Sequence, residues 1–258
     1  MKKFDNKFKN ILYLIYRWMS LVVNPVHIIH FIPELIVYIR SWVKYAHLDK
    51  AEKLNFIDIY PCLYDRTSTT PIDTQYFYQD IWAYKKIQTS NNKEHTDVGS
   101  RVIFTGLLSA ICEVAFIDIR PLEVKVANLK STKGSVLKMP YKDATVESLS
   151  CLHVIEHVGL GRYGDGLDPE GSKKSCKELA RVLAKGGNLY ISLPIGKQRL
   201  CFNAHRVHTP DTIISYFKDL ELVDFSCIND QGEFIEHADY KTYNNADYSC
   251  GLFNFTKK

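Results

Sequence analysis

The sequence predicts an α/β fold: a mostly parallel sheet with an antiparallel last strand, helices on both faces, and a basic helical arm in front. Three observations carry that expectation. Strand-like and helix-like apolar runs alternate from about residue 94 to the end. A glycine turn and two carboxylates fall where strands should end. All of the surplus positive charge sits in the first fifty residues.

The 258 residues suit one domain plus an appendage, divided here as an arm over 1–50 and an α/β domain over 51–258. With 46% hydrophobic and 24% charged residues, the chain is too apolar for disorder. Its seven cysteines include no CxxC pair and mostly lie in apolar runs. They read as reduced thiols of a cytoplasmic protein, with neither a zinc site nor a disulfide framework. Residues 1–50 hold eight Lys/Arg against three Asp/Glu, and the remainder 25 against 26, which together give the net charge of +4. A nucleic-acid binder would spread basic residues over its working face, so that class is excluded.

In the arm, Phe8, Ile11, Leu12, Ile15, Trp18, Met19 and Val22 recur at helical spacing until Pro25. A second helix is expected from Pro33 to about Ala46, carrying Leu35, Ile36, Ile39, Trp42 and Val43, with a further apolar piece at 26–32. Neither run reaches the 18–20 or so apolar residues that span a bilayer. Lys2, Lys3, Lys7, Lys9, Arg17, Arg40 and Lys44 surround these faces. Residues 1–46 therefore suit either a helix pair lying on an anionic membrane surface, such as the inner face of the cytoplasmic membrane, or a packed arm or homodimer contact.

In the core, Glu94–Ser100 reads as a strand entering a glycine turn, and Glu113–Ile119 as the next strand. Ala144–Val154 and Asn188–Leu193 follow, separated by a helix over Pro169–Ala184. Asp168 is the expected N-cap of that helix, and Gly186-Gly187 its stop. A helix opens at Thr209-Pro210, and the strands Glu221–Ile228 and Tyr248–Thr256 close the chain. Ligands of such sheets sit across the carboxyl ends of the strands. Three features are expected there. Asp97, Gly99 and Ser100 form a turn that lets backbone approach a ligand. Asp118 can accept both hydroxyls of a ribose, with Ile119 beside it. The turn Lys138-Met139-Pro140-Tyr141 precedes the strand that leads to His153, Glu156 and His157.

These segments resemble the class I S-adenosylmethionine-dependent methyltransferases, which are Rossmann-like, over roughly residues 75–258. The resemblance is carried by Asp97-Val98-Gly99, Phe116–Arg120, Met139-Pro140-Tyr141, Leu152–His157 and Glu178–Pro194, the last similar to the family's RVLKPGG helix-turn-strand. It implies S-adenosylmethionine as cofactor. More narrowly, Tyr76–Trp82, Ser150–Asp165 and Cys201–Arg206 resemble an uncharacterised bacterial family, domain of unknown function 268. That resemblance implies a glycan substrate in surface-polysaccharide assembly. The chain also departs from the superfamily pattern. Arg101 and Ile103 stand where two further glycines are usual, and Gly134-Ser135 where Gly-Asp is common. Arg101 would either fill the space for the cofactor's methionine part or pair with its carboxylate.

Methyl transfer to oxygen needs an aligned hydroxyl and a base for its proton. His157 is the favoured base, with Glu156 orienting it or holding a substrate hydroxyl; His205 is the alternative, and His153 lies against the cofactor. Arg162, Tyr163 and Asp165 in a glycine-rich loop, with Asn203 and Arg206 in a second polar loop, suit a sugar or glycan acceptor, including an acidic one. Arg199 could join Arg206 in holding an acid group, and no metal is required. Two rivals remain. Glu156–Gly159 followed by Tyr163 also looks like a segment of cyclopropane fatty-acid synthases, which act on a lipid alkene. The other rival is a scaffold protein that has kept the fold and lost the cofactor.

Overall fold

In the computed structural model the structure describes residues 6–20 and 23–258. Lys2, Lys3 and Val22 lie outside the described residues, as do the side chains of Lys7, Phe8 and Asn10. The chain divides into two compact units, 1–71 and 72–258.

The first unit contains α1 (Asn6–Met19) and α2 (Pro25–Ala46). The second helix starts at Pro25 and passes through Pro33, where a start was expected. Proline at a first helical position gives up an N–H that would be unbonded anyway, and in the interior Pro33 forfeits a single backbone bond. Residues 51–71 belong to this unit, which moves the boundary beyond the expected residue 50. They form no strand. Their contacts run to α2 instead: Arg66 pairs with Glu34 at 3.4 Å, Tyr45 bonds Glu52, and the Trp42 and Phe56 ring centroids lie 6.3 Å apart. Ile11, Leu12, Ile15, Trp18 and Met19 of α1 are exposed, and so are Ile28, Ile32, Ile36, Ile39 and Val43 along one face of α2. No helix among the described residues is long and apolar enough to cross a membrane.

The second unit opens with α3 (Thr74–Ser90), capped by the Asp73 carboxylate on the N–H groups of Gln75 and Tyr76. Then come β1 (Glu94–Val98), α4 (Val102–Leu108), β2 (Glu113–Asp118), β3 (Leu129–Lys133), β4 (Val146–Leu152), α5 (Gly171–Val182) and β5 (Leu183–Ile195). A small hairpin of β6 (Arg199–Cys201) and β7 (His205–Val207) follows, then α6 (Pro210–Tyr216), β8 (Glu221–Ile228), β9 (Phe234–Ile235) and β10 (Ser249–Thr256). The large sheet runs β3-β2-β1-β4-β5-β10-β8-β9. Its first five strands are parallel, and β10 lies antiparallel between β5 and β8.

Period-two burial places one core on each face of the sheet. Leu189, Ile191 and Leu193 face Cys176, Leu179 and Val182 of α5 and Ile213 and Phe217 at α6. Between them, Tyr190 points to the other side, with Trp82, Ala83 and Ile87 of α3 and Phe104 and Leu108 of α4. The strand β3 was not expected from sequence, because Leu129–Lys133 is a polar edge strand with little apolar alternation. The glycine pair also behaves differently from expectation: α5 ends at Val182 and β5 starts at once, with Gly186-Gly187 inside it. Gly186 has φ +72°, and the register to β4 shifts between Val146 and Ser148, so the pair forms a bulge.

Candidate active site

The carboxyl ends of β1, β2 and β4 meet at one cleft. Gly99 turns the chain there with φ +68°, its N–H bonded to Ile117 O at 2.9 Å. A Cβ at this position would stand 3.3 Å from both Asp118 Oδ2 and Val154, so glycine keeps open the space beside the carboxylate. Asp118 Oδ1 accepts the Arg120 N–H at 2.6 Å, whereas Oδ2 has no hydrogen-bond partner among the described residues. Ile119, the Gly134–Leu137 segment, His153, His157, Tyr163 and Asp165 complete this first cleft. Arg120 stacks on the Tyr163 ring at 4.3 Å across its mouth.

A second, more polar cleft shares His153 and His157 with the first. It is lined also by residues 72–76, Glu156, Arg162, Pro194, His205 and Tyr248. Its floor is the fully buried Glu156. Glu156 Oε1 takes the His153 Nδ1–H at 3.0 Å and lies 3.5 Å from His157 Nε2; Oε2 is buried without a partner. Burial disfavours the charge on His153, but the Cys250 sulfur and the Glu156 carboxylate outweigh it and hold the imidazole pKa well above its usual value. Burial likewise opposes ionisation of Glu156, yet its bond to His153 and the charges of His153 and His157 hold its pKa below the ordinary range. The two form a buried ion pair. His153 adopts φ +53° and stacks on Tyr76, ring centroids 4.9 Å apart.

The two expected bases differ. His157 Nδ1–H donates to Ala204 O at 2.6 Å, and its other nitrogen faces Glu156, so neither points freely into the cleft. His205 stands 6.4 Å away, ring to ring, packed on Tyr248 at 5.3 Å, and neither of its ring nitrogens has a hydrogen-bond partner among the described residues. Burial pushes its pKa below 6.5, with help from His157, Arg162 and Arg199 and against Glu156, so His205 is neutral at neutral pH.

Several expected contacts are engaged in the framework instead. Asp97 is fully buried, bonded to the Ser100 N–H at 3.0 Å and to the Ser150 hydroxyl. Ser100 Oγ accepts the Leu152 N–H at 3.0 Å. Both therefore shape the turn from behind, because their polar atoms are used before a ligand could reach them. Arg101 lines neither cleft; it pairs with Asp80 (3.5 Å) and lies over the Tyr76 ring (4.9 Å). Asp165 lines the first cleft, but its oxygens accept the Gly159 N–H at 2.6 Å and the Tyr163 N–H at 3.3 Å. Asn203 sits in the hairpin turn and donates to Leu160 O. The Arg206 guanidinium is spent on Val158 O (2.6 Å) and Asp168 O (2.9 Å), and Arg199 on Lys197 O and Asp247 O. Tyr141 bonds Thr96 outside both clefts; Gly134–Leu137 supplies the wall expected of residues 138–141. Arg162 lines the second cleft, bonded to Ala204 O at 3.2 Å beside His157. Tyr248 was not singled out as a cleft residue, whereas Tyr76 belongs to the segment Tyr76–Trp82, expected as a helix closing over the cofactor with its aromatics more often core than cofactor contact. Among the described residues no three His, Cys, Asp or Glu side chains form a metal-holding group.

The strand order and the cleft at the strand ends define a class I methyltransferase-like fold. Solved structures with the same fold include the N-methyltransferase NodS of Bradyrhizobium japonicum, in complex with S-adenosyl-L-homocysteine (13% identity, 84% of this chain and 97% of that one, TM-score 0.51). A Galdieria sulphuraria protein provisionally described as a sarcosine dimethylglycine methyltransferase matches at 14% identity, over 70% of this chain and 86% of that one, with a TM-score of 0.52. The [4+2]-cyclase SpnF matches at 11% identity, over 69% and 81%, with a TM-score of 0.50. Residues 126–246 match a family described as "Caenorhabditis protein of unknown function, DUF268", a description that carries no bacterial assignment. No curated protein matches the chain.

Proposed function

We propose that this protein is an S-adenosylmethionine-dependent O-methyltransferase acting on a sugar or glycan hydroxyl. The observation that carries the reading is the Asp118 carboxylate, one oxygen unpartnered, facing the space that Gly99 leaves open, with His153 leading from there into a polar cleft that contains a neutral histidine. These residues fit the cofactor. Asp118 would hold the ribose hydroxyls, with Ile119 and the Gly134–Leu137 wall against the base and His153 near the reactive end. When bound, the cofactor supplies an electrophilic methyl group.

The chain's own residues do the rest. His205 takes the acceptor proton on a ring nitrogen as the new bond forms, Tyr76 and Tyr248 shield the site from water, and Arg162 binds an acid group or a hydroxyl of the acceptor. The unpartnered Glu156 Oε2 is placed to accept from a second acceptor hydroxyl. His157, tied to Ala204 and Glu156, serves as a brace, so the base role passes to His205. A bacterial surface polysaccharide, suggested by the resemblance at residues 150–165 and 201–206, is the proposed source of the acceptor. The first test is calorimetry with S-adenosylhomocysteine, with saturation expected at micromolar concentrations. No heat at millimolar concentration would transfer the protein to the scaffold reading.

For residues 1–46 we propose an interfacial helix pair on the inner face of a bacterial membrane. The exposed stripe Ile28–Ile32–Ile36–Ile39–Val43, with Arg40 and Lys44 beside it, supports this reading. The full chain should float with vesicles of anionic lipid, lose that behaviour in Ile32→Asp/Ile39→Asp, and bind more weakly as salt rises. A concentration-dependent dimer in gel filtration, with no vesicle binding, would favour the homodimer contact.

A further inference from the structure

A row of polar side chains crosses the otherwise apolar packing on the α3 side of the sheet. His95 and Asp97 on β1, and Ser148 and Ser150 on β4, point to one face because each pair is two residues apart. His95 Nδ1 lies 2.7 Å from Ser148 Oγ, and Nε2 lies 2.8 Å from Ser150 Oγ. Ser150 Oγ bonds Asp97 Oδ2, and Asp97 Oδ1 takes the Ser100 N–H at 3.0 Å. All five residues are buried.

The direction of every proton in this row follows from counting donors. An ionised Asp97 only accepts, so Ser150 spends its single proton there. Ser150 Oγ must then accept from His95, which makes Nε2 the protonated nitrogen. Nδ1 is left as an acceptor, and Ser148 donates to it. His95 stays neutral throughout, because burial holds its pKa near 3. Each donor thus points toward Asp97, and bonds aligned in this way polarise and strengthen one another. Burial pushes Asp97 up to about 6, against the bonds from Ser100 and Ser150 and with a small push from Asp80. The Cys151 thiol also lies within electrostatic reach of this carboxylate.

We propose that Ser148, His95 and Ser150 are positioning residues for the cofactor turn. As a one-way hydrogen-bond row they hold the Asp97 carboxylate on the Ser100 N–H, which keeps the Gly99 turn open and in register with His153 at the end of β4. The effect on ligand binding rests on the cofactor reading above; the proton pattern does not.

Long-range proton–nitrogen NMR on the histidine-labelled full chain reads the pattern directly. The Nε2–H tautomer of His95 is expected at pH 7, where Asp97 is ionised, and the ring should stay neutral at pH 5; an Nδ1–H tautomer at pH 7, or a charged ring at pH 5, would overturn the proposal. Carboxyl NMR should show Asp97 titrating near 6 in the wild type. Its midpoint should move up by about half a pH unit or more in Ser150→Ala, since a donor to the charged form is lost; an unmoved midpoint counts against the row. S-adenosylhomocysteine should bind Ser150→Ala and His95→Phe about tenfold more weakly, and His95→Gln, which still carries a donor and an acceptor, should recover much of that loss. Folded variants that bind as tightly as the wild type would remove the positioning role. If the wild type binds no cofactor, the cofactor reading fails, and the tautomer and the Asp97 midpoint still decide whether the row exists.

Discussion

His205→Ala lowers kcat by about 100- to 10,000-fold, the range that loss of a general base gives, and leaves the affinity for S-adenosylhomocysteine nearly unchanged. The separation is expected because His205 lines only the second cleft, while Gly99, Asp118 and Ile119, proposed to hold the cofactor, line the first. His157→Ala should cost much less in kcat, since it removes a brace between Glu156 and Ala204. The pH profile gives an independent check. A base must be deprotonated, and burial places the His205 pKa below 6.5. The rate is therefore flat through neutrality and falls on the acid side as pH drops through that lowered pKa, and His205→Ala abolishes this limb. A limb centred above 6.5, or equal rates in the two alanine variants, would remove His205 from the mechanism.

Asp118→Ala weakens cofactor binding about 100-fold, consistent with loss of hydrogen bonds to a charged acceptor at about 1.5–3 kcal/mol each, which do not simply add. The thermal midpoint should barely move. Among the described residues this carboxylate bonds only the Arg120 N–H at 2.6 Å and pairs weakly with the exposed Arg120 side chain at 3.8 Å. Calorimetry and a melting curve on the same sample make the comparison. A loss of less than about fivefold would mean that the ribose lies elsewhere, since even one such hydrogen bond is worth more.

The fold was legible wherever apolar period and caps agreed. Thr209-Pro210 opens α6 as expected, with Thr209 Oγ1 accepting the Thr212 N–H, and both closing strands fall where the alternation put them. The polar edge strand β3 carried no such signal, and the glycine pair that resembles a helix stop is a bulge inside β5. At the site, the residue types were legible but their orientations were not. Nothing in a linear order tells that Arg101 turns back to Asp80, or that Arg206 is consumed by Val158 and Asp168. The same limit hid the choice between His157 and His205, which depends on whose nitrogens already have partners.

The glycine-rich loop and the β6–β7 hairpin are laced together: Arg206 to Val158 and Asp168, Arg162 to Ala204, Asn203 to Leu160, and the Arg206 N–H to Glu156 O. Two walls of the acceptor cleft are thereby a single jaw, which cannot part along its own seam without breaking several bonds at once. The facing wall, residues 72–76, is held to Tyr248 by one amide bond from Gln75. If the proposed function holds, acceptor and methylated product would pass on that side, at the first turn of α3.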